Sequence, residues 1–171
     1  MSQKVSAAVI AEIAVVAAIY AALTVFLAPF SYGALQVRLS EALMLLCTFR
    51  KRWCVSLTLG CMIANLFSGM AADFLFGTIA TFVAAILMYN IKKPAAASVV
   101  PAIANGFLVG GELWIFADVP FLLGFLGVAV GELIAVAVVG LPILRAASRS
   151  RLLCKLIGMP YRDNAKKSDN P

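Results

Sequence analysis

A chain of 171 residues has room for about one domain. At 63% hydrophobic residues, 13% charged residues, a net charge of +6 and a mean hydropathy of +1.00, it carries more apolar surface than a soluble domain of this size can hide. The expected class is an all-α integral membrane protein, and a chain without histidine is closed to His-based acid–base chemistry and to the common zinc and copper sites.

A helix needs about 20 residues to cross roughly 30 Å of hydrocarbon. Six apolar runs follow in order: Val5 to Ala28, Leu35 to Phe49, Trp53 to Ser68, Asp73 to Ile91, Ala97 to Ala117 and Pro120 to Leu144. The second and third are short, and the second contains Gln36, Arg38 and Glu41, which places its outer end in the interface or inside the protein. The first run, at about 24 residues with Glu12 inside it, exceeds the roughly 7 to 15 apolar residues of a signal-peptide core and is expected to stay in the mature protein. Its small residues Ala7, Ala11, Ala14, Ala18 and Ala22 form a stripe on which another helix can approach closely, either a separate membrane subunit or a neighbour within the bundle.

Basic residues fix the expected topology. With six crossings and a cytoplasmic N-terminus, every Lys and Arg except Arg38 falls on the inner side, where short loops collect them. The reading is a six-transmembrane-helix bundle over residues 1–144 with both termini cytoplasmic in the cell membrane. Residues 145–171 form a basic cytoplasmic tail, in which Leu152, Leu153, Leu156 and Ile157 between arginines suit a helix lying on anionic lipid. The lipid bilayer is its expected partner, with no nucleic acid, and the composition past Tyr161 reads as disordered.

The chain has no phosphate-binding glycine loop, so it does not bind ATP by a known loop. Cys47, Cys54, Cys61 and Cys154 show no C-x-x-C pair, and no metal, disulfide framework or cofactor is expected. No activated nucleophile stands beside a base, so the chain is not read as an enzyme.

Ionisable groups at membrane depth are costly and face a cavity or a partner. Arg38, Glu41, Asn65, Asp73, Glu112 and Asp118 are assigned toward the outer face, and Asn105 and Glu132 nearer the middle. Asn105 and Glu112 lie two turns apart on one face of the fifth span, and Thr58, Cys61 and Asn65 share a stripe on the third. Gly106, Gly110, Gly111, Gly127 and Gly131 leave room between the last two spans for a ligand or a close helix contact. Arg38 and Glu41, three apart, either neutralise each other or serve a ligand; Asp73 reads equally as a first-turn residue, and Asp118 as a loop residue before Pro120. Several carboxylates against one arginine favour a ligand that is cationic or presents paired N–H donors. Phe30, Tyr32, Trp114 and Phe116 stand near the outer ends as flat faces for an aromatic ring. A stand-alone proton-coupled carrier for a small cationic or heterocyclic compound, with Glu12 and Glu132 as relay groups, is the alternative.

The stretch from Ala28 through Pro29, Phe30, Ser31, Tyr32, Gly33, Ala34, Leu35, Gln36, Val37, Arg38, Leu39, Ser40, Glu41 and Ala42 to Leu43 resembles the signature region of the queuosine-precursor (QueT-type) substrate-binding subunits, or S components, of energy-coupling factor (ECF) transporters. Leu59 to Leu66 with Asp73 and Gly77, and Asn105 through Glu112, are similar to later segments of that family. The resemblance implies a subunit that captures a deazaguanine from outside: queuine, or a precursor bearing an aminomethyl or cyano group. A shared transmembrane coupling subunit and two cytoplasmic ATPases would supply the power, the binding subunit would topple within the membrane, and the alanine stripe would dock it to the coupling subunit. It further implies that Glu41, Glu112 or Glu132 accepts the guanine-like edge, that Asn65 or Asn105 pairs with the ring carbonyl, and that Asp73 balances an aminomethyl cation. Gln36 and Arg38 match the signature, with Arg38 either touching ligand or organising Glu41.

Overall fold

The computed structural model describes residues 6–31 and 37–162, and every regular element among the described residues is a helix. Helix α1 spans Ala7–Phe26, capped by the Ser6 hydroxyl, which accepts from the Ala8 N–H. Its inward face is Ala17, Tyr20, Ala21 and Thr24, while Ala7, Ala11, Ala14, Ala18 and Ala22 lie exposed on the other side. The alanine stripe is therefore not used for packing inside the bundle.

Helix α2, Leu39–Thr48, is wound as a 3-10 helix. At about 2.0 Å per residue this winding stretches ten residues to roughly 20 Å, where an α-helix would reach about 15 Å. Only Phe49 and Arg50 separate it from α3, Lys51–Asn65. Helix α4 runs Ala71–Ile91 and stops at Lys92, whose φ of 57° and the Pro94 beyond it cannot continue a helix. Helix α5 spans Pro94–Phe116, α6 spans Phe121–Ala147 with a π-wound middle at Leu133–Gly140, and α7 is a short helix at Arg151–Ile157.

Four of these, α1, α4, α5 and α6, are long and apolar enough to cross a membrane. The runs expected as second and third spans form shorter helices, with Leu35 and Gln36 outside the described residues. Outside and inside are inverted relative to a soluble protein: Phe26, Phe107, Leu122 and Val138 are more than half exposed, while Arg38, Glu41, Asp73, Glu112 and Glu132 are buried. The described part of the chain is built to meet lipid.

The helices pack in sequence, α1 on α3, α3 on α4, α4 on α5 and α5 on α6, with the π-wound stretch of α6 closing against α2. Glycine allows two of these approaches. A Cβ on Gly60 would lie 2.8 Å from both the Ala17 carbonyl and the Tyr20 Cβ, and one on Gly110 would lie 2.8 Å from the Phe125 backbone nitrogen. Between α5 and α6, close helix contact is thus what the glycine at 110 serves, whereas Gly111 meets nothing.

One end of the bundle collects the basic groups. Arg52 pairs with Glu12 of α1 at 2.6 Å, so Glu12 has its partner within the chain. Arg50, Arg52 and Trp53 donate to the carbonyls of Lys155, Leu156 and Ile157 at 3.3, 3.1 and 2.9 Å, which satisfies the last turn of α7. The ammonium groups of Lys51 and Lys92 sit 5.5 and 5.4 Å from the Tyr89 ring. The start of α1 and the C-terminal α7 therefore lie at the same end. Residues 163–171 fall outside the described residues.

Candidate functional site

At the other end, seven of the sequence-selected residues converge. Arg38 enters at the N-terminus of α2 and is 5% exposed. Its Nε donates to the Ser31 carbonyl at 3.3 Å and its Nη1 to Asn65 Oδ1 at 3.2 Å, with Cys61 Sγ 3.9 Å away. Asn65, in the last turn of α3, is held from its other side, since its Nδ2 donates to the Asp73 carbonyl at 2.8 Å and to Cys61 Sγ at 3.4 Å. The amide thereby ties the end of α3 to the first turn of α4. A concavity of about 460 Å³ lined by Asn65, Leu66, Gly69, Met70, Ala71 and Phe74 opens above it.

Gly77, one turn into α4 from Asp73, makes room for this arrangement. A Cβ there would lie 2.7 Å from Asn65 Nδ2 and 3.8 Å from Arg38 Nη1. Below, Cys61 receives the Thr81 hydroxyl at 3.1 Å, so the floor of the cluster is a thiol and a hydroxyl rather than hydrocarbon.

Four carboxyls surround this core. Glu41 is fully buried, and its Oε1 accepts from the Tyr20 hydroxyl; its neighbours also include the Arg38 guanidinium. Asp73, in the first turn of α4 as expected for a group favoured by the helix dipole, is 3% exposed. The Glu112 carboxyl, on α5, adjoins that of Asp73. Glu132 takes the Asn105 Nδ2 at 2.5 Å, joining α5 to α6 one residue before the π-wound stretch. Such local rewinding of a helix is frequent at functional sites.

Burial without full satisfaction separates this cluster from an ordinary polar core. Glu112 is 0% exposed, and neither of its oxygens has a hydrogen-bond partner. One oxygen each of Glu41, Asp73, Asn105 and Glu132 is likewise buried and unpartnered. Every one of these atoms is an acceptor if the carboxyls are ionised. The arrangement can hold a guest that brings donors, and Asn105 Oδ1 with Glu132 Oε2 offers two on adjoining side chains.

Three selected residues stand apart. Tyr32 and Gln36 lie outside the described residues. Trp114 does not face the cluster: it is 58% exposed and packs edge-on against Phe121 with ring centroids 6.4 Å apart. Two residues beyond Glu112 on a helix is about 200° around the axis, so a buried Glu112 turns Trp114 to the lipid. Phe116 is likewise exposed, packed on Phe76. Asp118 is an exposed loop residue with φ of 55°. The sequence reading left out Tyr20, Gly77 and Thr81 as site residues and placed Cys61 only in a stripe. Tyr20 carried a usable signal, because a phenol in mid-span needs a polar partner inside the protein.

The family model described as "QueT transporter" matches residues 10–149. The chain is 32% identical over 139 residues to the queuosine precursor transporter QueT of Lactococcus lactis subsp. cremoris (strain MG1363), with 72% of this chain and 82% of that protein covered. No solved structure matches. The matched segment runs from α1 to the end of α6 and includes every member of the buried cluster, so the chain belongs to the QueT transporter family, as a multi-helical membrane transporter protein and not an enzyme.

Proposed function

We propose that this chain is the substrate-binding subunit of an ECF-type importer and captures a queuosine precursor, a deazaguanine such as queuine or its aminomethyl or cyano precursor, in the cluster from Arg38 to Glu132. The observation that carries the reading is the convergence of buried, unpartnered acceptors from α2, α4, α5 and α6 around one arginine. A guanine-like edge presents a ring N–H beside an exocyclic amine, and Asn105 Oδ1 with Glu132 Oε2 is a pair of acceptors suited to it. The Asn65–Arg38 pair is suited to the ring carbonyl, and Cys61 forms the floor.

Six crossings with both termini cytoplasmic complete the proposal. Start and end of the described chain share the basic end, which requires an even number of crossings, and the positive-inside rule turns that end to the cytoplasm. The exposed alanines of α1 then offer the coupling subunit a flat face, while two ATPases supply the energy. A stand-alone proton-coupled carrier loses support because Glu12, one of its two relay groups, is bound to Arg52 at the far end.

Calorimetry on the purified chain tests the site. A deazaguanine binds one to one, and Glu41→Ala and Glu112→Ala each weaken it at least about tenfold, the cost of removing one charged hydrogen-bond partner, whereas Trp114→Ala does not. Undiminished affinity in both monodisperse glutamate variants overturns the pocket. For docking, Ala14→Leu with Ala18→Leu leaves binding intact and abolishes uptake in vesicles containing the ATPases. Uptake driven by a pH gradient without any ATPase overturns the importer reading.

A further inference from the structure

A second pocket lies at the basic end of the bundle. Lys92 closes α4, Pro94 opens α5 and Arg145 stands in the last turn of α6, and these three line a cavity of about 460 Å³ together with Phe49, Leu141 and Leu144. Another wall is the segment that follows α7. Met159 there is 6% exposed, its N–H donates to the Cys154 carbonyl at 3.1 Å, and the Arg162 N–H donates to the Ser148 carbonyl at 3.0 Å. The volume falls within the roughly 300–1,000 Å³ of small-molecule sites. No residue that lines this pocket belongs to the acidic cluster.

Its two cations are not neutralised. Lys92 and Arg145 are exposed, and among the described residues neither makes an ion pair, the Glu12 carboxylate at this end being taken by Arg52. The Lys92 ammonium rests 5.4 Å from the centre of the Tyr89 ring, which holds the charge in place without cancelling it. The Ser148 hydroxyl is turned to the Arg145 carbonyl at 2.7 Å. None of the described residues that line the pocket is acidic. An anion fits the charge, but a free phosphate would lose water against Phe49, Leu141, Leu144 and Met159 with nothing gained from them. An anion that carries its own hydrocarbon gains from both. Depth points the same way: α4, α5 and α6 are long and apolar enough to cross a membrane, and the pocket lies at their ends, the level of lipid headgroups. Basic pockets between membrane helices suit anionic headgroups.

We propose that this pocket holds one anionic phospholipid, its phosphate between Lys92 and Arg145 and its acyl chains leaving over Leu141 and Leu144. This differs from the general attraction of a basic tail to lipid, because the cations belong to α4 and α6 and enclose a single headgroup. Bound there, the lipid joins the turn between α4 and α5, the end of α6 and the segment after α7. Such a site is independent of what the acidic cluster binds.

Native mass spectrometry of the full chain in mild detergent tests it, with phosphatidylglycerol and phosphatidylcholine of identical acyl chains as probes. Wild type retains one phosphatidylglycerol about 30-fold in preference to phosphatidylcholine, the scale of two cations at a lipid surface. Lys92→Asn, which suits the left-handed backbone at that position, and Arg145→Gln each lose about fivefold of the preference, and the double variant loses nearly all of it. Arg149→Gln with Lys155→Gln, two cations of the same end that do not line the pocket, leaves the preference in place. Equal retention of the two lipids by wild type overturns the anionic site. An unchanged preference in the pocket double variant, or an equal loss in the Arg149 and Lys155 control, overturns the assignment to Lys92 and Arg145. Displacement of phosphatidylglycerol by millimolar inorganic phosphate shows that the pocket reads phosphate alone and overturns the lipid. Failure of the folded wild type to retain either probe also overturns it and leaves the pocket to a protein partner. Should one single variant not fold, the other and the control still decide.

Discussion

The two ends of this bundle use the same chemical groups to opposite ends. At the basic end, Arg50, Arg52 and Trp53 reach the last carbonyls of α7, Glu12 is closed by Arg52, and the participating cations keep one side toward solvent. Side-chain donors there close on backbone carbonyls and on one carboxylate, and the result is a latch. At the other end, one guanidinium is enclosed with four carboxyls, and six oxygens of Glu41, Asp73, Asn105, Glu112 and Glu132 stay unmatched. Each such atom carries a desolvation cost of about 1–3 kcal/mol. An imbalance of that size inside an otherwise apolar bundle is what a ligand that brings its own donors can relieve.

The sharpest way to break this contrast is to remove the Arg38 cation from the acidic end. Arg38→Ala is expected to cost about 3–5 kcal/mol, because it strips a buried charge from a cluster that is already acidic and releases Ser31 and Asn65 together. Unfolding in detergent reports the loss, and ligand binding disappears with it. Arg38→Lys recovers part of the stability but not the binding, since an ammonium cannot bridge the Ser31 carbonyl and Asn65 as the planar guanidinium does. A fully stable Arg38→Ala protein would mean that the acidic end is held together by something other than its arginine.

A smaller effect is expected at Gly77. A methyl there sits 2.7 Å from Asn65 Nδ2, so Gly77→Ala must push the amide off the Asp73 carbonyl. Overpacking of this kind costs about 1–3 kcal/mol. Affinity falls about tenfold, because Asn65 is the piece that joins Arg38 to α4. Gly111→Ala, on α5 with open space around it, serves as the control and changes neither stability nor affinity.

These residues also show how far the sequence could be read. The class of protein and the helical runs follow from composition and the length of the apolar runs, and the convergence of Arg38, Glu41, Asn65, Asp73, Asn105, Glu112 and Glu132 from the rule that polar groups at membrane depth face a cavity or one another. Helix periodicity had the information to exclude Trp114, which lies nearly opposite Glu112, but proximity to the outer end outweighed angle in the reading. The winding of α2 and of Leu133–Gly140 was not legible, since a 3-10 or π helix has the same apolar composition as an α-helix and is chosen by packing between the two elements. Gly77 was quoted only for its place in the family pattern. Its role depends on which side chain a Cβ would strike, and that is Asn65 at the end of α3, twelve residues earlier in the chain.

The smallest effect belongs to the latch, and it tests whether the ends are independent. Arg52 is 17% exposed and its partner Glu12 32%, so their ion pair is worth at most about 1 kcal/mol. Arg52→Ala also frees the Leu156 carbonyl, but the bonds from Arg50 to Lys155 and from Trp53 to Ile157 remain. The expected outcome is faster amide exchange in Arg151–Ile157 and unchanged affinity at the proposed site, because no residue of the latch is hydrogen-bonded to the acidic cluster. If affinity instead falls tenfold, about 1.4 kcal/mol is being transmitted along the bundle. The carriers would then be α1, which brings Glu12 to the latch and Tyr20 to Glu41, and α3, which runs from Arg52 to Asn65. A latch that reports on the site through those two helices would make the basic end part of the transport cycle, and Trp53→Phe, which removes only the bond to Ile157, would reproduce the effect in miniature.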